Sequence, residues 1–566
     1  MISSNLRTSK PAVKASPQWL AVALAILTAL LLIGLFSTEL ADPDSWWHLK
    51  TGEYIVTHHK LPYPDPFAYT TAQAQPAYPG EERTRHFNLT HEWLAQAGMY
   101  LAECAGGLGA VVLARALLLA AMCGVVGLIA WRRAGSAIWG IAAALGAASL
   151  AVEFAHDRPS ILSFLFTSAF IALFEYRRYI WLVPAIALVW ANCHGGFFLG
   201  WVVCGAYTAE ALVRRAPDLG RLAAVSAAAV LLSGLNPNGF GVLGTILDYR
   251  RSALQSTLIE WSKPALCGEP YAFDILLYAA ALVLVASWRR VRPADWLLFA
   301  AFSAAALAAF RNEMLVGLLA PILIASYFPW KRALPSAARW AAAAALAAAL
   351  VVGSARGSFF QLRAAEWRFP SGAADFLRDH RISDPLFNTY EYGGYLIWRG
   401  VPVFIDGRAL SEAVFRDYRT ILAAPPGDPA RHELLARYGI GAVILNGFEY
   451  NSGALYGLAL ALAQPGAAEW KLVYEDPQAM VFLHAVPAGM PVLDKRRIFD
   501  HLQGECEMHV TRDPEFSLCA RTLGDLFLRA GDNTRARRAL ALYLEHPYGG
   551  VPDPEARRAY LQLVGR

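Results

Sequence analysis

The heptapeptide Asp42-Pro43-Asp44-Ser45-Trp46-Trp47-His48 follows directly on the first long apolar run, residues 18–40. It sets two carboxylates and an imidazole where a helix leaves a membrane, side chains able to accept a proton or to hold a cation. Packing alone asks for no pair of acids at such a place. The paired tryptophans, taken by themselves, also read as an interfacial aromatic anchor. Other polar clusters keep the same company of apolar helix ends: His91-Glu92-Trp93, His156-Asp157-Arg158-Pro159, Asn192 with His194-Gly195-Gly196, Asn236-Pro237-Asn238-Gly239, Glu260-Trp261 and Arg311-Asn312-Glu313.

The elements that must position these residues are membrane spans. The chain has 566 residues, of which 56% are hydrophobic and 17% charged, against roughly a quarter charged in soluble domains. A hydrocarbon core about 30 Å thick needs about 20 helical residues. Apolar runs read at 18–40, 108–130, 136–153, 160–175, 180–194, 197–213, 221–235, 271–288, 294–310, 313–328 and 338–354, about eleven spans. Several are short and broken by Gly or Pro, as at Pro184 and Gly195-Gly196, which neighbouring helices can cover.

Arginine and lysine fall in every second loop: Arg7, Lys10 and Lys14, then Arg132-Arg133, Arg177-Arg178, Arg214-Arg215, Arg289-Arg290 with Arg292, and Lys331-Arg332. Such residues stay on the cytoplasmic side, so the N terminus is expected inside and the chain beyond residue 354 outside. The first apolar run is long and lacks a small-residue cleavage site, so it reads as a retained span. This topology gathers the polar clusters on the outer face. Ionisable groups at membrane depth are kept where they face a cavity or a site, and seven clusters at outer helix ends imply one outward-facing polar cavity. Asn236-Pro237-Asn238-Gly239 taken alone also reads as an ordinary turn.

The loop of residues 41–107 is long enough to expect structure of its own. Residues 46–57 and 91–104 have mixed faces at helical spacing, with Trp47, Leu49, Tyr54, Trp93, Leu94 and Tyr100 available to lie in the interface. Prolines at 62, 64 and 66 enforce an extended turn between them, and residues 70–85 read as an irregular loop.

Past residue 354 the composition becomes that of a soluble domain. Residues 386–389, 401–406, 442–446 and 480–484 read as strands, and 393–398 and 431–438 as helices, giving an outer α/β domain. Residues 520–530 and 534–544, around Gly531-Asp532, look like one tetratricopeptide-type (TPR-like) helical hairpin. The expected organisation is a membrane domain over 1–355, an α/β domain over 356–510 and a helical end over 511–566. The seven cysteines form no Cys-x-x-Cys pattern. Cys506 and Cys519 share the outer part, where an oxidising compartment would permit a disulfide. The net charge of +5 is accounted for by loop arginines and gives no case for nucleic acid.

The sequence resembles the C-type (GT-C) glycosyltransferase superfamily, membrane enzymes that use polyprenyl-phosphate sugars. The resemblance runs over roughly residues 15–330: a short start, an acid just after the first span, two juxtamembrane helices and a soluble domain after the last span. The runs Asp42-Pro-Asp-Ser-Trp-Trp-His-Leu49, His91-Glu-Trp-Leu94, Arg158-Pro159, Asn192-Cys-His-Gly-Gly196 and Asn236-Pro-Asn-Gly239 look like those of bacterial membrane proteins described as glycosyltransferase-like. Asn388-Thr-Tyr-Glu-Tyr-Gly-Gly-Tyr-Leu-Ile-Trp398 and Phe404-Ile-Asp-Gly-Arg408 look like the soluble tails of the same group.

The resemblance implies a polytopic α-helical GT-C-like fold in a bacterial inner membrane. The implied reaction is inverting transfer of a sugar from a polyprenyl-phosphate donor to a periplasmic protein, glycan or lipid acceptor. Asp42 or Asp44 becomes the acid that activates or positions the acceptor, Asp44 first because it begins a helix. Arg158 and Arg311, with His194, become the cations and donor facing the leaving phosphate. In oligosaccharyltransferases a second acidic motif in the next outer loop helps hold a divalent metal. Here Asp157 and His156 stand in that place, with Asp44, for Mg or Mn. The departure is that no Asp-x-Asp motif is present there, and mannosyltransferase-like relatives work without a metal. His48, His91, Glu92, Asn192, Asn236 and Glu260 complete the candidate site.

Two other classes stay open. A transporter also has broken helices and polar residues beside Gly and Pro, but around mid-membrane. A non-catalytic scaffold with a partner-binding outer domain needs no acids after the first span.

Overall fold

The structure is a computed structural model and describes residues 18–71, 74–249, 252, 259–266, 271–328, 335–408, 410–450, 452–551 and 553–565. Arg7, Lys10, Lys14, Lys331, Arg332 and Cys267 lie outside the described residues. The chain forms two compact units. The first comprises Met1–Leu40, Ala102–Gly239 and Leu258–Arg363, and the second Ala41–Leu101, Phe240–Thr257 and Ala364–Arg566.

The first unit is helical, and each of the eleven apolar runs coincides with a helix. Among the described residues, five helical stretches are both 18 residues or longer and apolar enough to cross a membrane. Others are shorter: Leu182–Cys193 has 12 residues, which at about 1.5 Å per residue falls well short of a hydrocarbon core. The chain is a membrane protein built on these apolar helices. Gln18–Phe36 packs along Ser336–Ala355, with Leu20, Leu24, Ala343 and Leu346 buried between them. Trp19 meets Trp340 edge to face at 5.1 Å. Met314–Tyr327 is buried along nearly its whole length, Pro321 included, and packs against Ala137–Ala151, Ala272–Ala286 and Pro293–Ala308.

Two of the loop arginines are not solvated charges. Arg133 forks onto Glu175 (2.7 and 3.0 Å) and Asp295 (3.1 and 3.2 Å), and Arg292 grips the same two carboxylates at 2.9–3.2 Å. Tyr207 and Tyr327 donate to Glu175 and Asp295. Two cations and two anions thus close a balanced knot that joins five helices, consistent with the need to pair charge in an apolar setting.

In the second unit the segment after the first span carries three helices, Asp44–His58, Glu81–Thr90 and one beginning at Trp93, where the sequence pointed to two. The irregular stretch expected over 70–85 ends early. Gly80 turns the chain at φ 100°, and the Glu81 carboxylate accepts the Ala77 and Glu412 backbone N–H groups, at 2.5 and 2.7 Å, fixing that start. The helix from Trp93 is broken at Gly106 and Gly107, the latter at φ 65°, a conformation that suits glycine.

The sheet of this unit has four strands among the described residues, β1 (Leu386–Asn388), β2 (Ala442–Leu445), β3 (Lys471–Glu475) and β4 (Met480–Leu483), in the order β1-β2-β4-β3. β1 and β2 run parallel, with Phe387 opposite Val443; the other pairs are antiparallel. The strand expected over 401–406 does not form. Val403 makes one parallel bridge, to Ala68. The Asn388 side chain supplies what a ladder would: its Oδ1 accepts the Phe404 N–H and its Nδ2 donates to the Ile405 carbonyl, both at 2.8 Å. β3 escaped the sequence reading because it is a half-buried edge strand with charged ends, Lys471 and Glu475.

The C-terminal hairpin forms as Leu518–Arg529 and Asn533–Glu545. Gly531 takes φ 74° at its turn, and the Asp532 carboxylate accepts the Arg535 N–H at 3.0 Å. A disulfide between Cys506 and Cys519 ties helix Arg497–Arg512 to this hairpin.

Candidate active site

Asp42 starts the first helix of the second unit. Its Oδ1 accepts the Asp44 N–H at 3.1 Å and its carbonyl the Ser45 N–H at 3.3 Å, the short-range turn that Asp favours before a helix. Asp44, first residue of that helix, is half-buried. One turn on, the Trp47 indole N–H donates to Asp44 Oδ1 at 2.9 Å. Trp46 lies edge-on to Phe369 and Tyr395, at 5.1 and 4.9 Å. Both tryptophans and Leu49 are buried within this unit, so the interfacial reading of Trp46, Trp47 and Leu49 is replaced by domain packing.

What receives this turn is the helix Tyr390–Trp398 together with the chain at 405–407. Glycines make the approach close enough. A Cβ on Gly394 would sit 2.2 Å from the Pro43 carbonyl oxygen, and one on Gly393 would sit 2.2 Å from that of Ile405. A Cβ on Gly407 would meet the carboxyl of Asp44 itself. Next to Gly407, Arg408 is held by two carboxylates. Its Nε and Nη2 contact Asp406 at 2.7 Å each, and Nη1 and Nη2 contact Asp65 at 2.8 and 3.2 Å. All three side chains are almost fully buried. Burial opposes the charge on Arg408, but Asp406 and Asp65 outweigh it and hold the guanidinium above its ordinary range.

His48, Glu92 and Gln96 join two helices of this unit. The Gln96 amide donates to His48 Nδ1 at 3.2 Å, and Glu92 lies 3.6 Å from His48 and 3.4 Å from His91. Gly52 permits this pairing: a Cβ there would stand 2.1 Å from the Gln96 carbonyl oxygen.

The remaining candidates belong to the first unit. Asp157 is buried and bound by Arg115 at 2.5 Å, while Arg115 also donates to the Phe36 carbonyl at 3.1 Å and to that of Thr38. Arg158 and Arg311 converge on one partner: Glu260 lies 2.7 Å from Arg158 and 3.9 Å from Arg311, and Arg311 stacks over the Trp261 ring at 4.7 Å. His194 Nδ1 accepts the Gly196 N–H at 3.0 Å and lies 2.7 Å from Ser163 Oγ, which in turn accepts the Trp190 indole N–H at 2.7 Å. Two donors on Nδ1 leave the proton of the neutral ring on Nε2. Asn192 ties Leu188 to Leu235 through two 2.9 Å bonds. Asn236 spends its side chain on its own turn, to Ser233, Asn238 and Gly239.

Of the expected metal set of Asp44, Asp157 and His156, Asp44 belongs to the second unit and the other two to the first. The Asp157 carboxylate is neutralised by Arg115 in a buried pair, whereas His156 beside it is exposed. Among the described residues no group of three or more His, Cys, Asp or Glu side chains stands close enough to hold a metal.

Arg115, Asp65, Gly394 and Gly407 were not among the sequence candidates. Arg115 had a signal, an arginine inside the apolar run 108–130. Gly394 and Gly407 stood within quoted motifs, but nothing local marks a glycine whose missing side chain accommodates a residue some 350 positions away.

No protein-family model matches the chain, and no curated protein matches it. Solved structures do. The archaeal oligosaccharyltransferase AglB from Archaeoglobus fulgidus, solved with an inhibitory peptide and a dolichol-phosphate, aligns with a TM-score of 0.55 over 94% of this chain and 87% of its own, at 11% identity. The Archaeoglobus fulgidus oligosaccharyltransferase in its apo form aligns with a TM-score of 0.51 over 84% and 76%, at 12% identity. The chain shares the overall fold of these oligosaccharyltransferase structures. At such identity the likeness carries the architecture and leaves the chemistry to this chain's own residues.

Proposed function

We propose that this chain is a membrane glycosyltransferase that moves a sugar from a polyprenyl-phosphate carrier to an acceptor on the outer side of a bacterial inner membrane. In this reading the N terminus is cytoplasmic, residues 1–355 form the membrane domain, and the α/β domain of 356–510 and the TPR-like end of 511–566 are periplasmic. The observation that carries it is the Asp44 carboxylate, held by the Trp47 indole at a helix start, in a chain with an oligosaccharyltransferase-like fold. That the structurally similar archaeal enzyme was solved with a dolichol-phosphate supports a lipid-linked donor.

Asp44 takes the proton of the acceptor hydroxyl as its oxygen attacks the anomeric carbon. The bond from that carbon to the phosphate oxygen breaks from the opposite side, and the configuration inverts. The phosphate leaves with the electron pair. Arg158 and Arg311 are the cations for it: both are partly exposed and already gather around an anion, the Glu260 carboxylate. His194 is assigned to the same phosphate or to the sugar. Asp42 serves by starting the helix that carries Asp44. The metal is left out of these steps, because the Asp157 carboxylate is already neutralised by Arg115.

The test is sugar release from a radiolabelled panel of polyprenyl-phosphate sugars by the purified protein, wild type against Asp44→Asn. Turnover lost in the variant is expected. No turnover and no donor-induced thermal stabilisation with any donor would favour a scaffold or transporter.

A further inference from the structure

A Cβ built on Gly407 would lie 1.7 Å from Asp44 Oδ1, 2.7 Å from its Cγ and 3.2 Å from Oδ2. The three nearest atoms all belong to one carboxyl group, the one read above as the base. The backbone does not demand glycine here, because Gly407 is not among the residues with positive φ. Nor is the loop loose. The Gly407 carbonyl accepts the Tyr390 hydroxyl at 3.0 Å. On either side of it, Asp406 and Arg408 are locked into the buried knot with Asp65, and the Arg408 N–H donates to Asp406 Oδ1 at 3.0 Å.

We propose that Gly407 is a positioning residue: the space left by its missing side chain seats the Asp44 carboxylate, whose Oδ1 also accepts the Trp47 indole N–H, and Arg408 fixes that seat. The proposal rests on the reading of Asp44 as the base. Carboxylate orientation matters because a base must stand within hydrogen-bond reach of the proton it removes. A methyl group at 407 would push on a side-chain end and not on backbone, so the displacement falls on the carboxylate while the fold persists.

The experiment compares wild type, Gly407→Ala, Asp44→Ala and the double variant for turnover of a polyprenyl-phosphate sugar and for thermal unfolding. Gly407→Ala is expected to lower kcat about 100-fold, the size of a lost general base, with the donor KM unchanged. The double variant should be no slower than Asp44→Ala. Any fall in melting temperature caused by Gly407→Ala should vanish once Asp44 is Ala, the signature of direct coupling. Wild-type kcat in Gly407→Ala, or losses that multiply in the double variant, would overturn the proposal. If Asp44→Ala keeps full turnover, it is the catalytic reading of Asp44 that fails. The melting cycle then decides the seat alone: coupling supports it and additivity overturns it.

Discussion

Arg115 binds Asp157 inside the helical unit at 2.5 Å, with both side chains almost wholly buried. The pair sits where the superfamily resemblance places a metal-binding acid, and its geometry makes it a structural clamp on the turn after Phe36. Breaking one partner of a buried pair costs about 3–5 kcal/mol, because the other charge is left uncompensated. Arg115→Met is therefore expected to lower the thermal stability of the purified protein strongly, and Asp157→Asn less, since an amide still accepts from the guanidinium. If Asp157 were instead a metal ligand, Asp157→Asn would abolish turnover without this ordering of stabilities; melting curves and turnover measured together separate the two.

The knot of Arg408 with Asp65 and Asp406 is a second buried ionic group, and its two carboxylates both use the planar guanidinium fork. Lysine cannot reproduce that fork. Arg408→Lys should destabilise the second unit by about 3 kcal/mol or more, as expected for a disrupted buried network. Asp65 comes from the Pro62–Pro66 stretch, so limited proteolysis of the variant should open cleavage there. An intact wild-type proteolysis pattern would count against the knot.

How far the sequence revealed this arrangement depends on the range of the forces involved. The apolar runs were readable because a span repeats one requirement over many residues, and strands β1, β2 and β4 because continuous apolar runs mark buried strands. The Asp42–Asp44 turn was visible because two acids beside paired tryptophans are locally unusual. Gly407 was not, since its role is set by a residue on a remote stretch of chain. The 401–406 segment misled for a related reason: its apolar composition is that of a strand, yet the Asn388 side chain satisfies its backbone. Arg158, Arg311 and Glu260 were each legible as polar residues at helix ends, but their meeting was not.

His501 introduces a pH dependence in the second unit. The ring is buried, with Glu505 at 3.3 Å and Glu475 at 3.9 Å. Burial opposes its charge, but the two carboxylates outweigh it and push the imidazole up to about 9. A group with a raised folded pKa contributes stability that is fully present below its unfolded value, about 6.5, and is lost as pH rises through the folded one. The melting temperature should therefore fall between about pH 6.5 and pH 9, and His501→Gln should flatten that slope. A slope unchanged in His501→Gln would assign the effect elsewhere.

Arg158 and Arg311 lead to the last expectation, which separates binding from stability. Their ion pairs with Glu260 involve side chains that are 27%, 37% and 46% exposed, and exposed pairs contribute only about 0–1 kcal/mol. Arg158→Ala should leave the melting temperature nearly unchanged. If the donor phosphate takes the place of the Glu260 carboxylate between the two guanidinium groups, losing one charge-assisted contact of about 1.5–3 kcal/mol raises the donor KM roughly 10- to 100-fold. Glu260→Gln acts in the opposite direction, because it removes the competing anion and lowers the donor KM. Steady-state kinetics on the three proteins decides it: a donor KM that is the same in wild type and Arg158→Ala would remove these arginines from the phosphate site.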